Sequence, residues 1–340
     1  MKYISFVVPS YNAENYLSKC VDSLLVGGED VEIIIVNDGS KDRTIDIANE
    51  YLKKYPTIIK VIDKENGGHG SGINAGLEVA TGIYYKCVDS DDWVDKDAYL
   101  ELLNTIKKHE SEDKLPDLYF MNYVYERVDI NLSVPMRDKY MPKNKHFTWK
   151  EMKRFGLAEY LILHQMMYKL SVIKESKMKL PHHCFYVDNV FAHIPLYYVK
   201  TMYYLDVDFY RYYVGRPNQS VTLENMAKNY KMGIRVMNEI SSAHTLEELK
   251  ALPRNQYKYL MHDIMVKAFL TLFYVMAGNT KEKDKHFKMY WKHFKETNRK
   301  LYYKLRYRTH FIVPYLLIKP LRKFAVIIGY KLVINKTKWN

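Results

Sequence analysis

The residue order predicts an α/β fold: a mostly parallel sheet followed by a helical, basic C-terminal region. Three observations carry that prediction. Strand-like apolar runs alternate with helix-period segments through the first hundred residues, the pattern of a parallel sheet with helical crossovers. Each strand-like run stops at a polar or glycine-bearing loop. From about Leu223 onward the apolar positions follow helical spacing while Lys and Arg grow dense.

Tyr3–Val8 reads as a β-rich run closed by Pro9. Glu14–Leu25 sets Tyr16, Leu17, Cys20, Val21, Leu24 and Leu25 on one helical face. Val31–Val36 is an apolar strand of the buried kind, ending at Asn37-Asp38-Gly39-Ser40. Helix-like Thr44–Lys54 follows, with Asp42 or Ser40 as its expected cap. Ile58–Ile62 is a third strand, Asn66–Gly72 a glycine-rich stretch, residues 73–80 a helix and Ile83–Val88 a fourth strand. Parallel strands with right-handed crossovers bring the loops after Val8, Val36 and Val88 to one crevice at their C-terminal edge. Lys96–His109 reads as a helix and Asp117–Tyr125 as a strand, with mixed elements to about residue 222. Helices then dominate to about Tyr307.

Composition narrows the class. At 340 residues, 48% hydrophobic and 27% charged, the chain is globular, with one large domain or two smaller ones. Cys20, Cys87 and Cys184 are widely spaced with no CxxC pair, which argues against a disulfide framework or structural zinc site. The opening strand is too short for a signal-peptide core, so the cytoplasm is the expected compartment. The 32 Tyr suit polar grooves as well as core positions. The net charge of +13 is localised: residues 281–340 hold 17 Lys and Arg against 3 Asp and Glu, leaving the rest near neutral.

The most informative motif is Val88-Asp89-Ser90-Asp91-Asp92-Trp93, three carboxylates in four positions after a strand. Their mutual repulsion calls for a cation or hydrogen-bond donors, and a divalent metal holding a diphosphate fits; an acidic turn capping the next helix is the plainer alternative. Pro9-Ser10-Tyr11-Asn12-Ala13-Glu14 offers an aromatic ring to stack on a base, or else a turn with Asn12 as helix cap. Asp38 offers an acceptor for a base N–H, with Gly39 permitting close backbone approach; again a polar turn is the alternative. Gly70-Ser71-Gly72-Ile73-Asn74-Ala75 fits GxGxxA with Asp89 about twenty residues on, the fingerprint of a dinucleotide site. The extra carboxylates would repel such a cofactor's phosphates.

Together these pieces resemble family 2 glycosyltransferases of the GT-A fold, over about residues 3–220. The residues that carry the likeness are Val-Val-Pro-Ser-Tyr-Asn (7–12), Ile-Val-Asn-Asp-Gly-Ser-Lys-Asp-Arg-Thr (35–44), Asn66 to Gly82, and Asp-Ser-Asp-Asp-Trp (89–93). The resemblance implies a Rossmann-like GT-A nucleotide-diphospho-sugar transferase. Residues 1–95 would bind the nucleotide sugar and 96–222 face the acceptor, followed by a helical region at 223–340. It implies that Tyr11 packs on uracil in a donor loop with Pro9, Asn12 and Glu14, and that Asp38 pairs with the base. Asp89, with Ser90, would lie by the ribose, and Asp91 would ligate Mn²⁺ or Mg²⁺ on the diphosphate. Relatives usually carry a basic residue where this chain has Ile73, just before Asn74. Gly68, His69, loop N–H groups or the helix N-terminus are the substitutes for that phosphate contact.

Transfer to a hydroxyl needs a base. Asp188 matches the Asp of the family's Glu-Asp pair, with Val187 in place of Glu; the alternative is an N-cap for a helix Val190–Val199. His182, His183 and His193 nearby are expected to be structural or surface residues. Arg216, Gln219 and Ser220 resemble the segment ending the catalytic domain, where they would close over the diphosphate. The basic tail carries two apolar blocks, Phe311–Ile318 and Phe324–Tyr330, each short of the ~20 residues of a membrane span. An amphipathic segment at 309–334 on an anionic leaflet fits it better than nucleic-acid binding or a solvated helical face.

The expectation is therefore an inverting, metal-dependent transferase moving sugar from a UDP-sugar to a lipid-linked saccharide at the inner membrane face. A dinucleotide-binding oxidoreductase of NAD type, or an inactive nucleotide- or nucleic-acid-binding protein, stands as the alternative.

Overall fold

The computed structural model describes residues 1–156, 159–215, 223–277, 281–306 and 328. The chain divides into two compact units, Met1–Lys153 with Leu161–Asn218, and Arg154–Tyr160 with Gln219–Asn340.

The first unit opens with β1 (Ile4–Ser10), α1 (Leu17–Leu25), β2 (Val31–Asp38), α2 (Thr44–Lys54), β3 (Ile59–Lys64), α3 (His69–Val79) and β4 (Tyr84–Cys87). It continues through β5 (Trp93–Val94), α4 (Lys96–Ser111), β6 (Leu118–Arg127), β7 (Leu132–Met136) and β8 (His146–Thr148). It closes with β9 (Met166–Lys169), α5 (Leu170–Ser176), α6 (Asp188–His193) and β10 (Thr201–Tyr213). One sheet runs β3-β2-β1-β4-β9-β6-β10-β5, with β7 beside β6 and β8 beside β10.

The first four strands are all parallel. Beyond β4 the sheet turns mixed: β9 pairs antiparallel with β4 and β6, while β6 and β10 run parallel with register shifts. Every residue of β1 and β2 is buried, as expected of strands covered on both faces. Strand β3, at the sheet edge, alternates more exposed positions.

The order 3-2-1-4 places a topological switch point between β1 and β4. The chain leaves β1 toward β2 on one side, and later returns to its other side. Ligands in open α/β sheets bind outside the carboxyl ends of the strands at such a point. The loops after β1 and β4 meet there.

Three expected boundaries shift. Helix α1 begins at Leu17 rather than Glu14, because residues 13–16 form a tight turn in which Tyr16 and Leu17 both donate to the Ala13 carbonyl. Helix α3 begins at His69 rather than residue 73, so most of the glycine-rich stretch is helical. The helix expected over Val190–Val199 is α6, Asp188–His193, followed by a 3-10 turn over Ile194–Tyr197.

The glycines inside α3 serve close packing. A Cβ on Gly76 would lie 2.3 Å from Val7 Cγ1, one on Gly72 3.0 Å from Pro9 Cβ, and one on Gly70 2.8 Å from the Pro181 carbonyl oxygen. The helix therefore lies directly on β1 and on the 180–184 segment.

The second unit is helical: α7 (Leu223–Lys228), α8 (Tyr230–Ser242), α9 (Leu246–Ala251), α10 (Arg254–Ala277), α11 (Lys281–Thr297) and α12 (Arg299–Arg306). Thr245 and Glu248 form a capping box at α9. Phe155 lies edge-on to Tyr259 at 4.9 Å, and His262 Nε2 lies 2.9 Å from the Glu159 carbonyl oxygen, fixing 154–160 to α10. No helix among the described residues is long and apolar enough to cross a membrane.

Candidate active site

Loops after β1 and β2 are laced together. The Asn12 N–H donates to Ser40 Oγ (3.0 Å), and the Lys41 N–H to Asn12 Oδ1 (2.8 Å). Glu14 accepts from the Arg43 N–H (3.1 Å), and its own N–H donates to Asp42 (3.1 Å). Asn12 is thus a loop clasp rather than a helix cap; it takes up a left-handed φ of 49°, which Asn tolerates. Tyr11 projects from this clasp at 53% exposure, free to meet a planar ligand. Pro9 stays within β1, against Gly72. At α2, Asp42 Oδ1 accepts from the Thr44 N–H (3.0 Å), while Ser40 serves the clasp.

Asp38 ends β2 almost fully buried. Its Oδ1 accepts from Lys64 Nζ (2.7 Å), the Gly67 N–H (2.9 Å) and Ser71 Oγ (3.2 Å), and its Oδ2 from the Gly68 N–H (2.7 Å). Burial works against the carboxylate, but Lys64 and the two backbone donors outweigh it and hold its pKa below the usual range. Gly68 holds φ 81°, and a Cβ there would lie 3.1 Å from the His183 backbone. The His183 N–H donates to the Gly67 carbonyl (2.6 Å). The turn that Asp38 holds is therefore also the seat of the 180–184 segment. Asn74 binds that segment through both amide atoms, to the Leu180 carbonyl (2.9 Å) and N–H (3.0 Å).

His69 does not stand free for a phosphate. Its Nε2 lies 2.8 Å from Asp89 Oδ1. Burial opposes the imidazolium, yet the Asp89 carboxylate prevails and raises the His69 pKa well above its ordinary value. Gly70–Ala75 lies within α3 instead of forming a strand-to-helix turn, so the dinucleotide fingerprint lacks its geometry.

In the acidic motif, Ser90 is nearly buried and Asp91 half-buried. Asp92 is 1% exposed; its oxygens accept from Tyr210 Oη (2.6 Å) and the Tyr213 N–H (2.8 Å). Burial, then the charges of Asp91 and Asp89, push the Asp92 pKa well above the carboxylate range. Oxygens of Asp89 and Asp92 and a ring nitrogen of His164 all lie within 4.8 Å of one another. The atoms of His69, Cys87 and Asp89 meet the same limit, while Asp91 belongs to neither grouping. Two carboxylates and an imidazole, beside a third carboxylate, fit a divalent cation such as Mn²⁺. Such a charge would relieve the repulsion that raises Asp92.

Three participants escaped sequence reasoning. Lys86, fully buried in β4, donates to the carbonyls of Leu163 (3.0 Å), His164 (2.6 Å) and Met166 (3.0 Å). That grip sets His164 between the rings of Tyr210 (4.7 Å) and Tyr212 (4.4 Å). Burial lowers the His164 pKa to about 4, so its imidazole is neutral at pH 7. Tyr210 is the third: besides binding Asp92, its oxygen accepts from the Asp89 N–H (3.2 Å). The available signal was a lone lysine in an otherwise apolar strand, three residues before the first carboxylate.

Asp188 is the first residue of α6, whose cap is Val187, so it does not serve as the N-cap. The 3.4 Å contact from Asn189 Nδ2 reaches its Oδ1. Helix α6 is docked by Phe191 against Tyr85 of β4 (5.8 Å) and Tyr168 of β9 (5.8 Å), and by Tyr168 Oη donating to the Ala192 carbonyl (3.1 Å). The approach to Asp188 bends sharply: His183 and Tyr186 hold φ values of 49° and 66°, backbone strain of the kind concentrated at functional sites. Burial and the Asp188 charge push the Tyr186 pKa up to about 12. Arg216, Gln219 and Ser220 lie outside the described residues.

Residues 5–171 match the family model "Glycosyl transferase family 2". Over 185 residues, 53% of this chain, the sequence is 34% identical to the poly(ribitol-phosphate) beta-glucosyltransferase of Bacillus spizizenii; the match spans 27% of that protein's length. S. aureus TarS 1–349, solved in complex with UDP-GlcNAc, shares the fold at TM-score 0.54 and 18% identity, covering 88% of this chain and 93% of its own. The mannosyltransferase PcManGT of Pyrobaculum calidifontis, solved with GDP-Man and Mn²⁺, does so at TM-score 0.51 and 12% identity, covering 96% and 86%.

Proposed function

From the premise that this chain belongs to glycosyl transferase family 2 through residues 5–171, we propose an inverting transfer of sugar from a UDP-sugar to a hydroxyl of a lipid-linked saccharide. The transfer would be of hexosyl type and serve cell-surface polysaccharide assembly. One observation carries the reading: at the switch point of the sheet, Asp38 and Asp89 are tied through the glycine turn and His69 into one acidic, cation-ready edge. The UDP-GlcNAc named for TarS, the Mn²⁺ named for PcManGT and the polymer named for the relative support the reading, while the GDP-Man of PcManGT is a nucleotide sugar with a different base.

In this reading Tyr11 covers the uracil, Asp38 accepts from its N–H, and Asp89 lies by the ribose. Asp91, the ligand that the family resemblance implies, would hold Mn²⁺ or Mg²⁺ beside the cluster of Asp89, Asp92 and His164. When bound, the cation screens the charge that develops on the departing diphosphate. Asp188 takes the proton of the acceptor hydroxyl. The freed oxygen then attacks the anomeric carbon from the face opposite the diphosphate; the new C–O bond forms as the bond to phosphate breaks, and the configuration inverts. The basic segment 309–334, outside the described residues apart from residue 328, would rest on an anionic inner leaflet and bring the site to a lipid-linked acceptor.

Calorimetric titration with UDP-sugars, with and without Mn²⁺, tests the reading. Wild type should bind with a Mn²⁺-dependent gain, and Asp91→Asn should lose that gain. Asp188→Asn should keep donor binding while transfer falls by roughly 10²–10⁴-fold. Donor binding indifferent to Mn²⁺ in every variant would remove the metal from the proposal, and full transfer by Asp188→Asn would remove the base.

A further inference from the structure

Lys64 ends the edge strand β3 directly opposite Asp38, with which it is paired in register. Its ammonium reaches Asp38 Oδ1 at 2.7 Å and Ser71 Oγ at 2.9 Å, and Ser71 in turn donates to the same Oδ1. With the Gly67 N–H, three donors converge on Oδ1, whereas Oδ2 receives the Gly68 N–H alone. A carboxylate offers about four lone-pair sites, so the remaining capacity lies on Oδ2. Asp63, one residue back on β3, is turned to the Asn37 side chain at 2.7 Å and does not compete for Lys64.

An ionised carboxylate only accepts hydrogen bonds. Uracil, thymine and guanine each carry a ring N–H on the pairing edge. Cytosine and adenine carry a bare ring nitrogen there, which meets a carboxylate with repulsion. A base of the second kind would bind Asp38 through that nitrogen only after the carboxyl took up a proton.

We infer that Lys64 is a specificity-determining positioning residue: by holding Asp38 charged and leaving Oδ2 to the ligand, it restricts the donor pocket to nucleotides with a ring N–H on the base. The inference rests on the reading that Asp38 faces the base, and goes beyond it in assigning the discrimination to Lys64. The depressed pKa of Asp38, to which Lys64 contributes most among the opposing influences, agrees with the geometry. Lys64 itself does not touch the base.

The test is calorimetric affinity for UDP, GDP, CDP and ADP, each with Mn²⁺, at pH 7 and pH 5.5. Wild type should prefer UDP over CDP by about 100-fold or more, with a ratio that barely moves between the two pH values. Lys64→Gln keeps an amide donor but loses the charge. There the ratio should shrink about tenfold at pH 5.5, because each unit by which the Asp38 pKa rises eases its protonation tenfold. Lys64→Arg should retain the wild-type ratio at both pH values. An unchanged ratio in folded Lys64→Gln, or a wild-type protein that takes CDP as well as UDP, overturns the inference while leaving donor binding intact. Binding of no nucleotide by wild type would overturn the donor-site reading itself and the inference with it. Should Lys64→Gln fail to fold, the wild-type pH profile still decides: a ratio that collapses by pH 5.5 means Asp38 is not held ionised.

Discussion

A lysine with no exposed surface is a rare choice for the middle of a parallel strand, and at Lys86 its use is mechanical. Three carbonyl oxygens of the 163–166 segment converge on its ammonium, three residues ahead of Asp89. Burial draws its pKa down from 10.5 to about 7. The sign of the linkage follows: the folded state sheds a proton that the unfolded chain retains, so this lysine's contribution to stability rises as pH climbs from about 7 toward 10.5. Lys86→Met leaves buried acceptors without donors and should lower stability by about 2 kcal/mol at pH 7. The variant should also lose the part of the wild-type rise between pH 7 and 9 that belongs to this side chain, roughly 2 kcal/mol. Urea midpoints at the two pH values check both; identical midpoints for variant and wild type would show that the grip on 163–166 is dispensable. His69 and Asp188 carry a related lesson. One was expected on a phosphate and is on a carboxylate; the other had a helix cap as its rival reading and is one residue inside the helix. For His69 the partner lies twenty residues further along the chain; Asp188 meets its neighbour Asn189.

Among the elements, the contact between α4 and the short strand β8 should be sensitive to acid. His109 of α4 is buried, with a ring nitrogen 2.6 Å from Tyr119 Oη and its ring 4.4 Å from that of His146 on β8. Tyr203 of β10 lies edge-on to both rings, and Lys108, Lys114 and Glu112 supply the nearby charge. Burial, then His146, lowers the His109 pKa to about 4, and burial lowers His146 as well. The unfolded chain takes up protons near pH 6.5 that the folded one refuses until about pH 4, so stability falls as pH drops through that window. For His109 the loss between pH 7 and pH 5 should be about 2 kcal/mol. His109→Gln should flatten that part of the urea-midpoint profile, and an unaltered slope would mean that the two imidazoles do not resist protonation. Helix α3 shows a second element-scale effect. Its glycines look like a ligand loop when read along the chain, but Gly70, Gly72 and Gly76 are where the helix meets Pro181, Pro9 and Val7 too closely for a Cβ. Backbone economy in glycine can serve a phosphate or a neighbouring strand, and the residue type alone does not distinguish them.

For the whole molecule, charge separates what the sheet does from what the tail is expected to do. The basic excess lies in residues 281–340, away in sequence from the acidic edge. Deleting residues 309–340 should abolish co-flotation with anionic vesicles while leaving donor titrations unchanged; flotation equal to that of the full chain would refute the membrane assignment. The sequence by itself determined the α/β class, the first four strands and the loops that carry Asp38 and Asp89–Asp92. Those features are local: buried parallel strands are continuous apolar runs, and the polar residues that end them fall at the edge where ligands bind. Only the tertiary structure decided the mixed second half of the sheet, the close packing of α3, and the partners Lys64, Lys86, His164 and Tyr210. The physical reason is range. Lys86 meets carbonyls 77 to 80 residues away and Tyr210 meets Asp92 118 residues away. No periodicity in a short window encodes such a pairing; it exists once the strands have assembled and buried groups must find donors or acceptors within the fold.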